Sequence, residues 1–166
     1  MSAAATPRAV PPVVVEVLFL RHDPASGLAW RRVATDLPAR THPDRVVGHL
    51  GRSGGQPSAA ALAHSTSWRC EEGGQVVLTY LAHPDPDPAA PAVTLTAPEV
   101  LARGAASDRP APEHVSVAQV AAHAVRHLVF LRRTDPVVAA YLAGLPGLGA
   151  ALAALPYSLA GQAGDA

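Results

Sequence analysis

The sequence predicts an α+β fold: a mixed, mostly antiparallel sheet built from two hairpins, with C-terminal helices packed on it. Three observations carry that expectation. Two pairs of apolar, β-branched runs each flank a turn sequence in the first half of the chain. The last third changes to a helical apolar period with recognisable caps. Proline- and glycine-rich segments separate the two regions and bound each element.

Each element can be justified in order. Residues 1–12, rich in alanine and proline, are expected to form a loose tail, and 159–166 a second one, leaving 13–158 as a single domain. Residues 13–22, VVVEVLFLRH, hold one acid within an apolar run and suit a well-buried strand. DPASG supplies turn residues, so LAWRRVA at 28–34 returns as the antiparallel partner. Thr41 and Asp44 have capping-box spacing with Pro43 between them, which predicts a short helix over 42–50. Residues 62–70 and 75–83 form the second hairpin around Glu71-Glu72-Gly73-Gly74. HPDPDPAAP cannot continue a sheet interior, since proline donates nothing to the ladder. A short strand is expected at 92–96, then a brief helix capped by Thr96 and Glu99. Ser116 and Gln119 open a helix running to Arg133; Asp135-Pro136 ends it and caps the next, over 136–143. A last Ala/Leu helix ends near Pro156.

Composition narrows the function classes. Apolar residues make up 49% and aromatic residues 4%, so the core should be valine, leucine and alanine around a few large rings. Thirteen basic residues, all arginine, balance thirteen acids without a block of either sign; no nucleic-acid partner is expected. The single cysteine, Cys70, excludes intrachain disulfides and multi-cysteine zinc sites. No apolar run is long enough to cross a bilayer, so a cytoplasmic protein without membrane contact is expected. The chain lacks GxGxxG, GxxxxGK[ST], HExxH and CxxC, and no cofactor is expected.

Four motifs are candidates for chemistry. LFLRHDP, at Leu18 to Pro24, resembles the strand-end Arg-His-Gly of the histidine phosphatases, with Arg21 and His22 as the groups concerned; Asp23-Pro24 stands where that family has glycine. Gly51-Arg52-Ser53-Gly54-Gly55 matches GxSxG in letters, but a nucleophile elbow needs a strand-to-helix turn and this stretch reads as a flexible loop. His123 and His127 lie one helical turn apart beside the stripe Val117, Val120, Ala121, Ala124, Leu128 and Leu131. They are the best metal candidates, with His64, His83 or His114 as the conceivable third ligand, although core-edge histidines fit the pattern better. Finally, regular alternation on the strand 62–70 would put His64, Thr66, Trp68 and Cys70 on the core side, and Ser65, Ser67 and Arg69 together on the other. That second row could bind an anion. It also separates the serines from His64, which rejects a Ser-His pair unless a bulge reverses the alternation.

HSTSWR…VVLTYL followed by AAHAVRHL resembles uncharacterised proteins of high-GC (actinobacterial-type) bacteria, and the element order is similar to a Nudix-type arrangement. The Nudix signature Gly…Arg-Glu-x-x-Glu-Glu is missing, and the helix at 42–50 holds one acid, Asp44, so that resemblance implies a fold and no pyrophosphohydrolysis. Two functional expectations remain. One is a non-catalytic binding or interaction domain whose pocket holds a small anionic metabolite or a partner segment, with Ser65, Ser67 and Arg69 as ligand-binding residues. The other is a small hydrolase or phosphatase-like enzyme using His22 or His64 with Arg21 or Arg69. If these groups converge in one pocket, the enzyme is favoured; if they scatter around an apolar pocket, binding is. The apolar excess after residue 136 also suggests a homodimer through the C-terminal helices.

Overall fold

The computed structural model describes residues 11–52, 62–98, 100–106, 108–109 and 112–157. At its centre is strand β1 (Val13–Asp23), buried without interruption from Val14 to Leu20. It turns at Gly27, whose positive φ of 80° suits a residue without a Cβ, into β2 (Gly27–Asp36), its antiparallel neighbour. The helix α1 (Pro43–Leu50) follows, then the second hairpin, β3 (Leu62–Cys70) and β4 (Val76–His83). β4 lies against the other side of β1 and runs parallel to it. With the short β5 (Val93–Thr94) on β2, the sheet order is β3-β4-β1-β2-β5, every pairing but β1–β4 being antiparallel.

Both faces of this sheet are covered, which is why β1 shows no apolar-polar alternation. Leu18, Leu20, Trp30 and Leu81 point to one side, where α2 (Val117–Thr134), α3 (Pro136–Ala143) and α4 (Pro146–Ala153) pack. Val15, Val17, Phe19 and Tyr80 point to the other, against Val46 and Val47 of α1. On α2, Val120, Ala121, Ala124 and Leu128 of the expected stripe are buried in the first cluster, and Val117 and Leu131 pack at its edge. The Ser116–Gln119 capping box closes the start of α2 as its spacing requires. The Asp135 carboxylate accepts from the amides of Val137 and Val138 and starts α3.

Several local expectations are corrected. The cap of α1 is His42, whose Nδ1 accepts from the Asp44 amide, not Thr41. The strand expected at 92–96 shrinks to two residues, because β2 alone supports it at the sheet edge. Residues 100–104 are not helical; Glu99, half of the cap supposed there, lies outside the described residues, as does Ser53 of the GxSxG match. The apolar residues of α3 and α4 are largely consumed by the core: Val138, Leu142, Leu148 and Leu152 pack beneath the sheet, leaving Val137 exposed. Among the described residues, no helix is long and apolar enough to cross a membrane.

Candidate functional site

The register of β3 decides what its polar residues face. His64 lies opposite Leu81 and Ser65 opposite Tyr80, but the next pair is Ser67 with Thr79, so Thr66 is an extra residue in a β-bulge. Its hydroxyl donates to the Thr79 carbonyl at 3.3 Å. One added residue exchanges the two sides of everything beyond it. Ser67 and Arg69 therefore share the helix-packed face with His64, while Ser65 shares the opposite face with Trp68. The row of Ser65, Ser67 and Arg69 expected from alternation is broken between its first two members. The expectation that Trp68 and Cys70 point to the core is also overturned: Trp68 is 69% exposed and Cys70 is exposed.

On the α1 side, the bulge leaves a cavity of about 280 Å³ lined by Ser65, Thr66, Ser67, Trp68, Leu78 and Tyr80. The Tyr80 ring is held by its hydroxyl, which donates to Asp44 at 2.7 Å. Burial, reinforced by the acceptor role of Asp44, pushes the phenol up to about 12, so it stays a donor at physiological pH. Asp44, the one acid of α1, is thereby taken up in positioning Tyr80.

On the helix side, His64, level with Leu81 ahead of the bulge, lies beside α2. Its ring centroid lies 5.5 Å from that of His127, and its Nδ1 is 2.9 Å from the Ser65 carbonyl. Burial lowers the His127 pKa, and the neighbouring His64 and His123 lower it further. Burial lowers that of His123 too, against an opposing pull from the Thr66 backbone. Both shifts favour the neutral form of His123 and His127. His64 and Ser67 share a face, yet no hydrogen bond joins the Ser67 hydroxyl to the His64 ring among the described residues. Among those residues, no three His, Cys, Asp or Glu side chains are arranged to hold a metal ion. His83 is engaged with the Tyr141 hydroxyl at 2.8 Å, and His114 is solvent-exposed beside Glu72.

The arginines proposed for anion binding are already neutralised. Arg69 donates to Glu16 at 2.7 Å and to Glu71 at 2.9 Å, and Arg32 completes the set around Glu16. Burial alone would raise the Glu16 carboxyl, but hydrogen bonds from Arg69 and Arg32 outweigh it and hold the pKa below its usual value. Arg21 and Arg31 do the same for the buried Asp85, with Arg21 Nε at 2.6 Å. Arg21 also donates to the carbonyls of Asp87 and Ala90, so this pair of arginines ties the proline-rich loop over the end of β1.

The enzyme candidates consequently scatter. Arg21 and His22, being consecutive on β1, point to opposite faces. His22 packs against Gly147 of α4: a Cβ there would come within 2.9 Å of its ring. His64 is level with Leu18, two strands away from β1, which places its Cα about 16 Å from that of His22 at standard strand spacings. Arg69 is level with Val14, about 25 Å from Arg21 by the same geometry. Sequence reasoning noticed the single acid in β1 but not its meaning; a glutamate inside an unbroken apolar run is itself the signal for buried arginine partners. Leu78 and Tyr80 were missed because pattern alone does not show which parts of a sheet face remain uncovered.

Compared with protein-family models, curated proteins and solved structures, the chain matches none, so its chemistry must be read from its own side chains.

Proposed function

We propose that this chain is a non-catalytic binding domain that takes an extended segment of a partner protein along β3. The observation that carries the reading is Trp68, a 69% exposed indole on the wall of the cavity formed with Leu78 and Tyr80. A large aromatic surface in water is a common anchor at protein interfaces. Two further features favour an extended partner. Among the described residues β3 is the outermost strand, and an outermost strand offers backbone donors and acceptors to an added one. Ser65, which shares the Trp68 face, lines the same cavity and would orient a polar backbone with its hydroxyl. The anionic metabolite is the weaker form of the binding reading, since Arg69 is already satisfied by Glu16 and Glu71. Scattered Arg21, His22 and His64 weigh against a hydrolase in the same way.

The test is selection of peptides from a random display library on the folded protein, followed by titration of the selected peptides. They should carry an aromatic or large aliphatic residue and lose about tenfold or more in affinity with Trp68→Ala, which removes exposed surface and no core contact. Peptides that bind Trp68→Ala as tightly as the parent protein would exclude this groove as the docking site.

A further inference from the structure

The same face of the sheet holds a second cavity, of about 270 Å³, beyond Tyr80 toward the end of α1. Its walls come from four elements: Phe19 of β1, Ala82 of β4, Ala63 of β3, and Val47 with Gly48 of α1. The residues that could have closed it are small. A Cβ added at Gly48 would meet nothing within 4 Å, and Ala63 and Ala82 face each other across the hairpin.

Arg52, just past the C-terminal cap of α1, lines this cavity too. It differs from the arginines described above. Arg21, Arg31, Arg32 and Arg69 are each joined to a buried carboxylate, whereas the Arg52 side chain has no ion pair or hydrogen bond among the described residues. No acidic residue lines the cavity: Asp44 on the same helix is held by Tyr80, and Asp85 beside Pro84 by its two arginines. An apolar cavity with one available guanidinium on its wall combines the two elements that recognise an amphiphilic anion: dispersion for the body and a forked donor for the charge.

We infer that this cavity binds a small monocarboxylate with a compact apolar body, the body resting on Phe19, Val47 and Ala82 and the carboxylate paired with Arg52. The site is independent of the groove at Trp68, and the two are separable by mutation.

Fluorine NMR with 4-fluorobenzoate as the probe tests it, with 4-fluorobenzyl alcohol as the uncharged control. The carboxylate signal should broaden and shift on adding the protein, and the alcohol should bind at least tenfold more weakly. Arg52→Gln, a surface change, should reduce carboxylate affinity about tenfold while leaving the alcohol unaffected. Gly48→Leu, directed into open space, should abolish binding of both. Trp68→Ala should leave the titration unchanged. No response to 4-fluorobenzoate at millimolar concentration, equal binding of acid and alcohol, or binding indifferent to Arg52→Gln would each overturn the inference.

Discussion

Glu16 on β1 accepts a hydrogen bond from Arg69 on β3 at 2.7 Å, across the intervening strand β4. Thr79 of β4 bridges the two, donating to Glu16 at 3.0 Å and accepting from Arg69 at 3.1 Å. Three strands are thus tied together by one fully buried carboxylate. Removing one partner from such a pair leaves an uncompensated charge, whereas replacing both with apolar groups does not. Glu16→Ala is expected to cost about 3–5 kcal/mol in urea unfolding at neutral pH. The double variant Glu16→Leu with Arg69→Met should be more stable than Glu16→Leu alone. A double variant no more stable than the single one would show that the pair does not act as a unit.

Acid should act through the same group. The folded-state pKa of Glu16 lies below its ordinary value of 4.5, so as pH falls the unfolded chain takes up its proton first. The stability Glu16 contributes is present above pH 4.5 and is lost as pH falls through its folded value. Glu16→Gln should therefore flatten the dependence of the urea midpoint on pH below about 4.5. A curve that parallels the parent protein's would contradict this.

The histidines predict a separate loss at higher pH. Burial lowers His123 and His127 below the ordinary 6.5, so the unfolded state binds more protons once pH drops under that value. Stability should be constant above pH 6.5 and decline as pH falls from there toward the folded-state pKa values. Urea midpoints at pH 7.5 and 5.5 measure the effect, and His127→Leu should reduce the difference between them. A parent protein with equal midpoints at both values would rule out the mechanism.

The bulge can be checked by fluorescence. With Trp30→Phe, emission comes from the exposed Trp68 and should be red-shifted and readily quenched by acrylamide; with Trp68→Phe, it comes from Trp30, which is 7% exposed and should be protected. Deleting Thr66 removes the extra residue and leaves Ser65 opposite Tyr80 and Ser67 opposite Thr79. That variant should fold, at a cost of about 1 kcal/mol for the hydrogen bond lost, with both quenching patterns retained. A Trp68 that becomes protected in the deletion variant would refute the assigned register.

His22 and Gly147 give a fifth test. Alanine at 147 gains helix propensity of up to about 1 kcal/mol but sets its Cβ against the His22 ring. Gly147→Ala should destabilise the parent protein slightly and stabilise His22→Ala, a coupling of about 1 kcal/mol in a double-mutant cycle. Additive effects would mean that the ring does not pack there.

Much of the architecture follows from local sequence. DPASG and Glu71-Glu72-Gly73-Gly74 mark the two hairpins, and Ser116 with Gln119 and Asp135-Pro136 mark the helix starts, because turns and caps are satisfied by residues a few positions apart. The apolar run of β1, broken only by Glu16, likewise reveals a well-buried strand. The candidate site was not legible in this way. Strand alternation at period two puts Trp68 in the core, and a single bulge residue, Thr66, carries it to solvent. A bulge is set by the pairing of two strands and leaves no mark in the period of either. Nor does sequence spacing reveal that Arg69, 53 residues from Glu16, would be its partner, or that the Arg52 side chain would have none among the described residues. The sequence by itself determined the two hairpins, α1 and the three C-terminal helices in their order, because those rest on contacts within a few residues; the helix expected after Thr96 is not present at 100–104. Only the tertiary structure decided which face each polar side chain takes and which charges meet, because those depend on the strand order β3-β4-β1 and its register.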